Sequence, residues 1–116
     1  MPLLTLRTNV SLDSDKATSL LKVCSAELAS QLGKPEHYVL TMYQPAEAMT
    51  MSGTTDPACL IEVRSVGSIS PDQARSMSAA FGRLVEEHIG VPTDRTYLQF
   101  EGVDGALWGY DGRTFR

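Results

Sequence analysis

At 116 residues, with 42% hydrophobic and 21% charged residues, the chain has the length and composition of one globular domain and is too apolar for a disordered one. A net charge of −4 and a pI near 5.0, with no run of Lys or Arg, exclude a nucleic-acid footprint, so an anionic ligand must be met by a local cation. No stretch approaches the roughly 18 apolar residues needed to cross a bilayer and no secretory leader precedes the first strand, which makes the cytosol the expected address.

The run Leu3-Leu4-Thr5-Leu6-Arg7-Thr8 predicts a strand directly after Met1-Pro2. Removal of Met1 would make the Pro2 nitrogen a free secondary amine. An α-amino group titrates near ~7.7–8.0 and apolar burial lowers it, so Pro2 is a candidate general base at neutral pH. With Met1 retained, the same nitrogen is an amide with neither a proton nor a basic lone pair.

Asp13 or Ser14 then supplies a helix N-cap, and Ala17, Leu20, Leu21, Cys24, Leu28 and Leu32 form a helical stripe that Gly33 ends. Pro35 follows, as is common just past a helix end, and residues 38–43 predict the second strand. Gly53 and Thr54-Thr55 mark residues 44–57 as a loop. Residues 59–65 predict a third strand, Ser70-Pro71 a cap followed by Pro in the first turn, and Ala74, Met77, Phe81, Val85 and Ile89 a second stripe. Gly90-Val91-Pro92 ends this helix, and residues 96–100 predict the last main strand. Gly102, Gly105, Gly109 and Gly112 break the tail, residues 102–116, into turns.

Shifted by 57 residues, the chain pairs with itself: Arg7 with Arg64, Ser11 with Ser68, Asp15 with Asp72, Ala17 with Ala74, Gly33 with Gly90 and Pro35 with Pro92. Conservative pairs extend this, among them Leu6 with Val63, Leu20 with Met77, Leu32 with Ile89 and Tyr43 with Phe100. Two copies of one β-α-β unit, residues 2–44 and 59–101, are therefore expected within a single domain spanning 1–116. The expected fold class is α+β, with two pseudo-symmetric β-α-β units forming a four-stranded sheet and both helices on one face.

The other face would carry Leu3, Thr5, Arg7, Leu60, Glu62 and Arg64, with Val39, Thr41, Leu98 and Phe100 from the outer strands. That mixture is too apolar for a free surface and too polar for a dry core. Packing against sister subunits around a partly wet centre would satisfy it.

Within the repeat Pro2 corresponds to Cys59, an internal residue, so only one unit can carry a terminal base. Lys34 is the cation best placed to hold an anion beside it, although a Lys at a helix C-terminus also complements the dipole without any ligand. Arg7 and Arg64, paired by the repeat, read as structural. Trp108, Tyr110 and Phe115 could wall a pocket or clamp a neighbouring subunit, and Tyr97 by default packs on its strand. Cys24 and Cys59 lack a Cys-x-x-Cys spacing, and His37 and His88 lack zinc-ligand spacing to either, so both thiols are expected to pack as small hydrophobes.

Together these residues resemble the macrophage migration inhibitory factor family, with the D-dopachrome tautomerases, in the tautomerase superfamily. The resemblance rests on Met1-Pro2, Thr8-Asn9-Val10, Gly33-Lys34-Pro35 with Tyr38, and Ser65-Val66-Gly67-Ser68-Ile69. It continues through Pro92-Thr93-Asp94-Arg95-Thr96-Tyr97 to Trp108-Gly109-Tyr110 and Thr114-Phe115. It implies a homotrimer with active sites at subunit interfaces. Pro2 matches the family's catalytic proline, Lys34 its substrate-carboxylate lysine, and Ser65-Val66 the stretch whose backbone assists. Tyr97 matches a pocket tyrosine supplied by an adjacent subunit and Gln99 a rim position. Trp108 falls where the family has an aliphatic wall residue, Tyr110 at its Trp position, and Phe115 matches its carboxyl-end aromatic. The thiol-redox motif of some members aligns with Ala58-Cys59-Leu60-Ile61, so that activity is expected to be missing.

The function implied is a phenylpyruvate-type keto–enol tautomerase acting on a small aromatic 2-keto acid, with no metal or organic cofactor, no nucleic acid and no membrane partner. The rival reading is a cytokine-like signalling or binding protein with a weak or vestigial pocket, released from cells without a signal peptide, for which a receptor-binding surface is not legible in the sequence.

Overall fold

Strand β3 (Cys59–Val66) alternates residue by residue between buried and half-exposed, the period-2 signature of a sheet covered on one face. In the computed structural model, which describes all 116 residues, it is the third strand of a four-stranded sheet with β1 (Pro2–Thr8), β2 (Leu40–Pro45) and β4 (Thr96–Val103). The order is β2-β1-β3-β4; β1 and β2 are parallel, β3 and β4 are parallel, and β1 and β3 meet antiparallel at the centre. Helices α1 (Ser14–Leu32) and α2 (Pro71–Ile89) cover one face.

The internal repeat holds element by element. α1 and α2 each have 19 residues, and the 57-residue shift carries Ser14 onto Pro71 and Leu32 onto Ile89. The shift also explains the central pairing. Thr5 lies opposite Glu62, its own repeat equivalent, and the pair Leu4–Val63 is carried onto Leu6–Ile61. A pseudo-twofold axis therefore passes through the Thr5–Glu62 pair.

Both helices begin and end on local chemistry. Asp13 caps α1 by accepting from the Lys16 N–H at 2.8 Å, and Ser70 and Gln73 form a reciprocal capping box on α2. Leu4, Leu6, Ile61 and Val63 from the central strands meet Leu20, Cys24, Leu28, Met77, Phe81 and Val85 from the helices, all essentially buried. Burying each large aliphatic or Phe side chain contributes ~1.5–3 kcal/mol, which makes this layer the main source of stability. No helix is long and apolar enough to cross a membrane.

Strand boundaries differ from expectation for a local reason. After Pro35, residues Glu36–Tyr38 form a 3-10 turn in which the Val39 N–H donates to the Glu36 carbonyl at 2.9 Å, so β2 starts at Leu40 rather than at 38. β4 runs on to Val103, three residues past the expected end at 100, and so takes residues 102 and 103 from the tail.

The outer strands also face the opposite way from that expected. Leu40 pairs with Leu3, Met42 with Thr5, Tyr97 with Leu60 and Gln99 with Glu62. The uncovered face thus carries Leu40, Met42, Gln44, Tyr97, Gln99 and Glu101. Val39, Leu98 and Phe100 pack against the core, and Thr41 shares the helix-facing side with its partner Leu4. Both faces of these strands contain apolar residues, so hydrophobicity alone did not choose between them, and a one-residue error of parity flips every side chain.

An ionic ladder crosses the middle of that uncovered face. Glu62 is bracketed by Arg7 and Arg64; Arg7 Nε donates to Gln44 Oε1 at 2.7 Å and Arg64 Nε to Glu101 Oε2 at 3.1 Å.

Two unrepeated contacts hold the long connection between the units. Asn9 brackets it through the Thr55 and Asp56 carbonyls and the Ala58 N–H. Arg95 donates to the carbonyls of Met51 and Pro57 at 3.1 and 2.8 Å and to that of Asp56 at 2.9 Å. Arg95→Ala is expected to cost about 2 kcal/mol in urea unfolding, since these are charge-assisted bonds that tie three points of the connection to one side chain; an unchanged midpoint would contradict that role.

Gly102 sits where β4 passes the turn after β3. The Gly67 N–H donates to the Val103 carbonyl at 2.9 Å, and a Cβ on residue 102 would collide with the Gly67 carbonyl oxygen. Gly102→Ala is therefore expected to lower stability by about 2–3 kcal/mol, measured by thermal or urea unfolding, because backbone cannot move aside as a flexible side chain would.

The tail is a small hairpin, β5 (Gly109–Tyr110) with β6 (Arg113–Thr114), turned by Asp111-Gly112 with both residues at positive φ, the pair favoured in a tight two-residue hairpin. It is tied back by the Phe115 N–H to the Gly105 carbonyl at 3.0 Å and by Arg116 to Asp104 at 2.7 Å.

Candidate active site

The end of α1 places the cation. Gly33 adopts the left-handed conformation (φ 63°), its N–H reaching the Ser30 carbonyl at 3.3 Å and the Lys34 N–H reaching the Ala29 carbonyl at 3.0 Å. This paired closure satisfies the last helical carbonyls with backbone and leaves the Lys34 side chain free to leave the helix. Its Nζ donates to Ser65 Oγ at 2.7 Å and to the Val66 carbonyl at 2.6 Å, at the far end of β3. The alternative role, complementing the α1 dipole through its last carbonyls, is not the one its ammonium takes.

Pro2 arrives at the same place through strand register. It pairs with Ser65 across the β1–β3 ladder, and the Val66 N–H donates to the Met1 carbonyl at 3.3 Å. Three segments distant in sequence, residues 1–2, 34 and 65–66, are thereby brought together. Pro2, Lys34, Ser65 and Val66 form one group.

The electrostatics of the group are those of an anion site. Lys34 has no carboxylate within ion-pair distance; both its partners are neutral oxygens. Burial holds its pKa below the ordinary lysine value, so its charge is partly desolvated as well as unneutralised. The α-amino group of Met1 is likewise held below its ordinary value, first by burial and then by the positive charge of Lys34.

A cleft of about 370 Å³ opens on Pro2. Met1, Leu3, His37, Tyr38, Leu40, Trp108 and Tyr110 line it with Pro2. Tyr38 meets Tyr110 edge-on, with ring centroids 5.6 Å apart at 82°, and Tyr110 stacks on Phe115 at 5.8 Å. Trp108 and Tyr110 are thus wall residues, and Phe115 stands behind Tyr110 as support. An aromatic ring entering this space would meet ring edges and faces on several sides.

Tyr97 and Gln99 are not part of this group within one chain. Tyr97, 66% exposed, lines a separate cavity with Met49, Met51 and Leu60. It lies in the row of Leu60 and Arg7, five residues along β1 from Pro2, or ~16 Å by strand rise. Gln99 lies beside Glu62 on the uncovered face.

The thiols stand apart from the cleft. Cys24 and Cys59 are buried, and burial, aided for Cys24 by the charge of Glu27, pushes both up to about 12, so neither is a thiolate at neutral pH.

Residues 37, 38 and 40 were not assigned to the site by reading the sequence alone. They reach the cleft because of the 3-10 turn after Pro35, and the repeat equivalent of that turn, Thr93–Arg95 after Pro92, was a usable sign that the strand starts late.

Known proteins are similar along the whole chain. The family model described as macrophage migration inhibitory factor (MIF) matches residues 1–116. A macrophage migration inhibitory factor homologue of Trichuris trichiura is 34% identical over 115 residues, covering 99% of this chain and 100% of the relative. Among solved structures, the homologue from Prochlorococcus marinus is 40% identical with a TM-score of 0.92, covering 98% of this chain and 99% of its own. The Toxoplasma gondii protein is 31% identical with a TM-score of 0.94, covering 97% and 99%. Whole-length agreement in both sequence and fold places this chain in the macrophage migration inhibitory factor family.

Proposed function

We propose that the protein is a keto–enol tautomerase of small aromatic 2-keto acids, with the free amine of Pro2, exposed by loss of Met1, as the acid–base group. The observation that carries this reading is the unneutralised Lys34 ammonium held on Ser65 and Val66, the segment paired with Pro2, which itself lines an aromatic cleft. Lys34, with the Ser65-Val66 segment, binds the substrate carboxylate. Tyr38, Trp108 and Tyr110 enclose the ring, with Phe115 behind.

Chemically the step needs one proton carrier. Unprotonated Pro2 takes the proton from the enol oxygen, the electrons collapse to the carbonyl and the adjacent carbon takes a proton from the resulting prolinium; the reverse sequence enolises the keto form. The two causes that lower the Met1 amine, burial and the Lys34 charge, act on a Pro2 amine at nearly the same place and favour its unprotonated form near neutral pH. Proton transfer alone completes the reaction, so the proposed step calls for no metal or organic cofactor.

The uncovered sheet face, with Leu40, Met42 and Tyr97 exposed around the Arg–Glu ladder, supports assembly with further copies, in line with a homotrimer. In that assembly Tyr97 and Gln99 reach the cleft of a neighbouring copy rather than their own. Turnover of phenylpyruvate enol by protein whose terminal Pro2 has been verified by mass spectrometry is the test. No turnover by such protein would transfer the site to the binding-protein reading, in which the pocket serves recognition.

A further inference from the structure

We infer that Asp104 and Arg116 are positioning residues for the aromatic wall: their ion pair clasps the segment that carries Trp108 and Tyr110 and holds it in place for the ligand. The inference rests on the proposed reading of the cleft as the ligand site, and its effect falls on binding rather than on proton transfer.

Within the chain the wall has no polar tie to the body. β4 ends at Val103, whose carbonyl takes the Gly67 N–H, and no hydrogen bond joins residues 104–116 to anything before them; every one they make is among themselves. Rings supply the contact with the body, Tyr110 lying edge-on to Tyr38. Such a segment opens locally, without unfolding the core, unless its own ends are fixed.

One carboxylate fixes both ends. Asp104 Oδ1 accepts from the Ala106 N–H at 3.0 Å and so starts the 3-10 turn Gly105–Leu107 that leads into Trp108. Its Oδ2 accepts from Arg116 Nη2 at 2.7 Å, across 12 positions of chain. The Arg116 carbonyl accepts in turn from Thr114 Oγ1 at 2.9 Å. Beside the pair the two ends touch: the Phe115 N–H donates to the Gly105 carbonyl at 3.0 Å, and a Cβ on residue 105 would come within 3.1 Å of Phe115 Cβ. Phe115 stacks on Tyr110, so closure at the ends reaches the wall through a ring in contact. The other ion pair of the tail, Arg113 with Asp111 at 3.9 Å, lies at the hairpin tip and ties no end to another.

A ligand that needs the closed wall binds in proportion to the fraction of protein in which it is closed. Both members of the clasp are exposed, and an exposed pair shifts an equilibrium by up to about fivefold.

Trp108, the only tryptophan of the chain, reports the wall directly. Arg116→Gln and Asp104→Asn, the second keeping an oxygen for the Ala106 N–H, are each expected to raise acrylamide quenching of Trp108 in ligand-free protein. Each should also weaken binding of 3-phenylpropionate, an acid that cannot tautomerise, by about threefold, and the double variant should bind no more weakly than either single one. Arg116→Lys, which keeps the charge, is expected to restore most of the affinity. Gly105→Ala, which wedges the ends apart with every charge in place, is expected to reproduce the loss. Urea midpoints should stay at the wild-type value, since no bond to the core is removed, and in turnover KM for phenylpyruvate should rise with kcat unchanged. Wild-type quenching and affinity in Arg116→Gln, additive losses in the double variant, or a weaker affinity matched by a lower urea midpoint would overturn the inference. Absence of turnover by wild-type protein with a verified Pro2 terminus, with the differences in quenching and affinity intact, would count against the tautomerase reading and leave the clasp standing.

Discussion

Replacing Pro2 by Ala, in protein with Met1 removed from both forms, is expected to lower kcat/KM for phenylpyruvate tautomerisation by about a hundredfold. Positioned acid–base transfer supplies ~10²–10⁴-fold, and the lower part of that range applies because the alanine variant still presents an amine, only one that is primary and free to rotate. The loss should fall on kcat, since Lys34 and the aromatic wall still bind the substrate.

The pH profile carries the sign. A base works only when unprotonated, so activity disappears as pH falls through the Pro2 pKa. On the proposed mechanism, the burial and Lys34 charge that lower the Met1 amine would act in the same direction on a Pro2 amine, and activity is then expected to persist through neutral pH. Steady-state rates across pH check both points; equal rates for the two proteins would remove Pro2 from the mechanism.

Lys34→Met is expected to raise KM about twentyfold, the value of one charge-assisted hydrogen bond to the carboxylate, and to shift the acid limb of the pH profile upward. The shift follows because loss of the neighbouring positive charge returns the Pro2 amine towards its ordinary pKa. Stability should behave differently. Burial lowers the Lys34 pKa, so the folded chain holds that proton less well than the unfolded chain, and the charged lysine opposes folding at neutral pH. Met keeps the aliphatic stem and removes the charge, and urea unfolding should show no loss beyond that of the bonds to Ser65 Oγ and the Val66 carbonyl. A large KM effect with little stability loss is the mark of a residue kept for binding. An unchanged KM would assign Lys34 to structure.

The two-unit architecture was legible because it is written in short-range chemistry. Asp13, Gly33, Ser70-Pro71 and Gly90 delimit two helices of equal length, and helical stripes at Leu20, Cys24 and Leu28 and at Met77, Phe81 and Val85 name the core face. Errors fell on β2 and β4, where the 3-10 turn and the extension to Val103 depend on backbone geometry that residue type states only weakly. At the site, Pro2 and Lys34 were legible as chemistry, through an amine that loss of Met1 frees and an isolated cation. Ser65 and Val66 entered only through family resemblance, because nothing in their own chemistry marks them.

Sequence by itself determined the repeat, the helices and their buried faces, since caps, breakers and hydrophobic period act within a few residues along the chain. Only tertiary structure decided which face of the outer strands is bare, that Lys34 leaves its helix for Ser65 and Val66, and that His37 joins Pro2 and Trp108 around one cleft. Those outcomes depend on strand register and on contacts between residues 31 or more apart, and the free energy that selects them comes from burying the whole core at once.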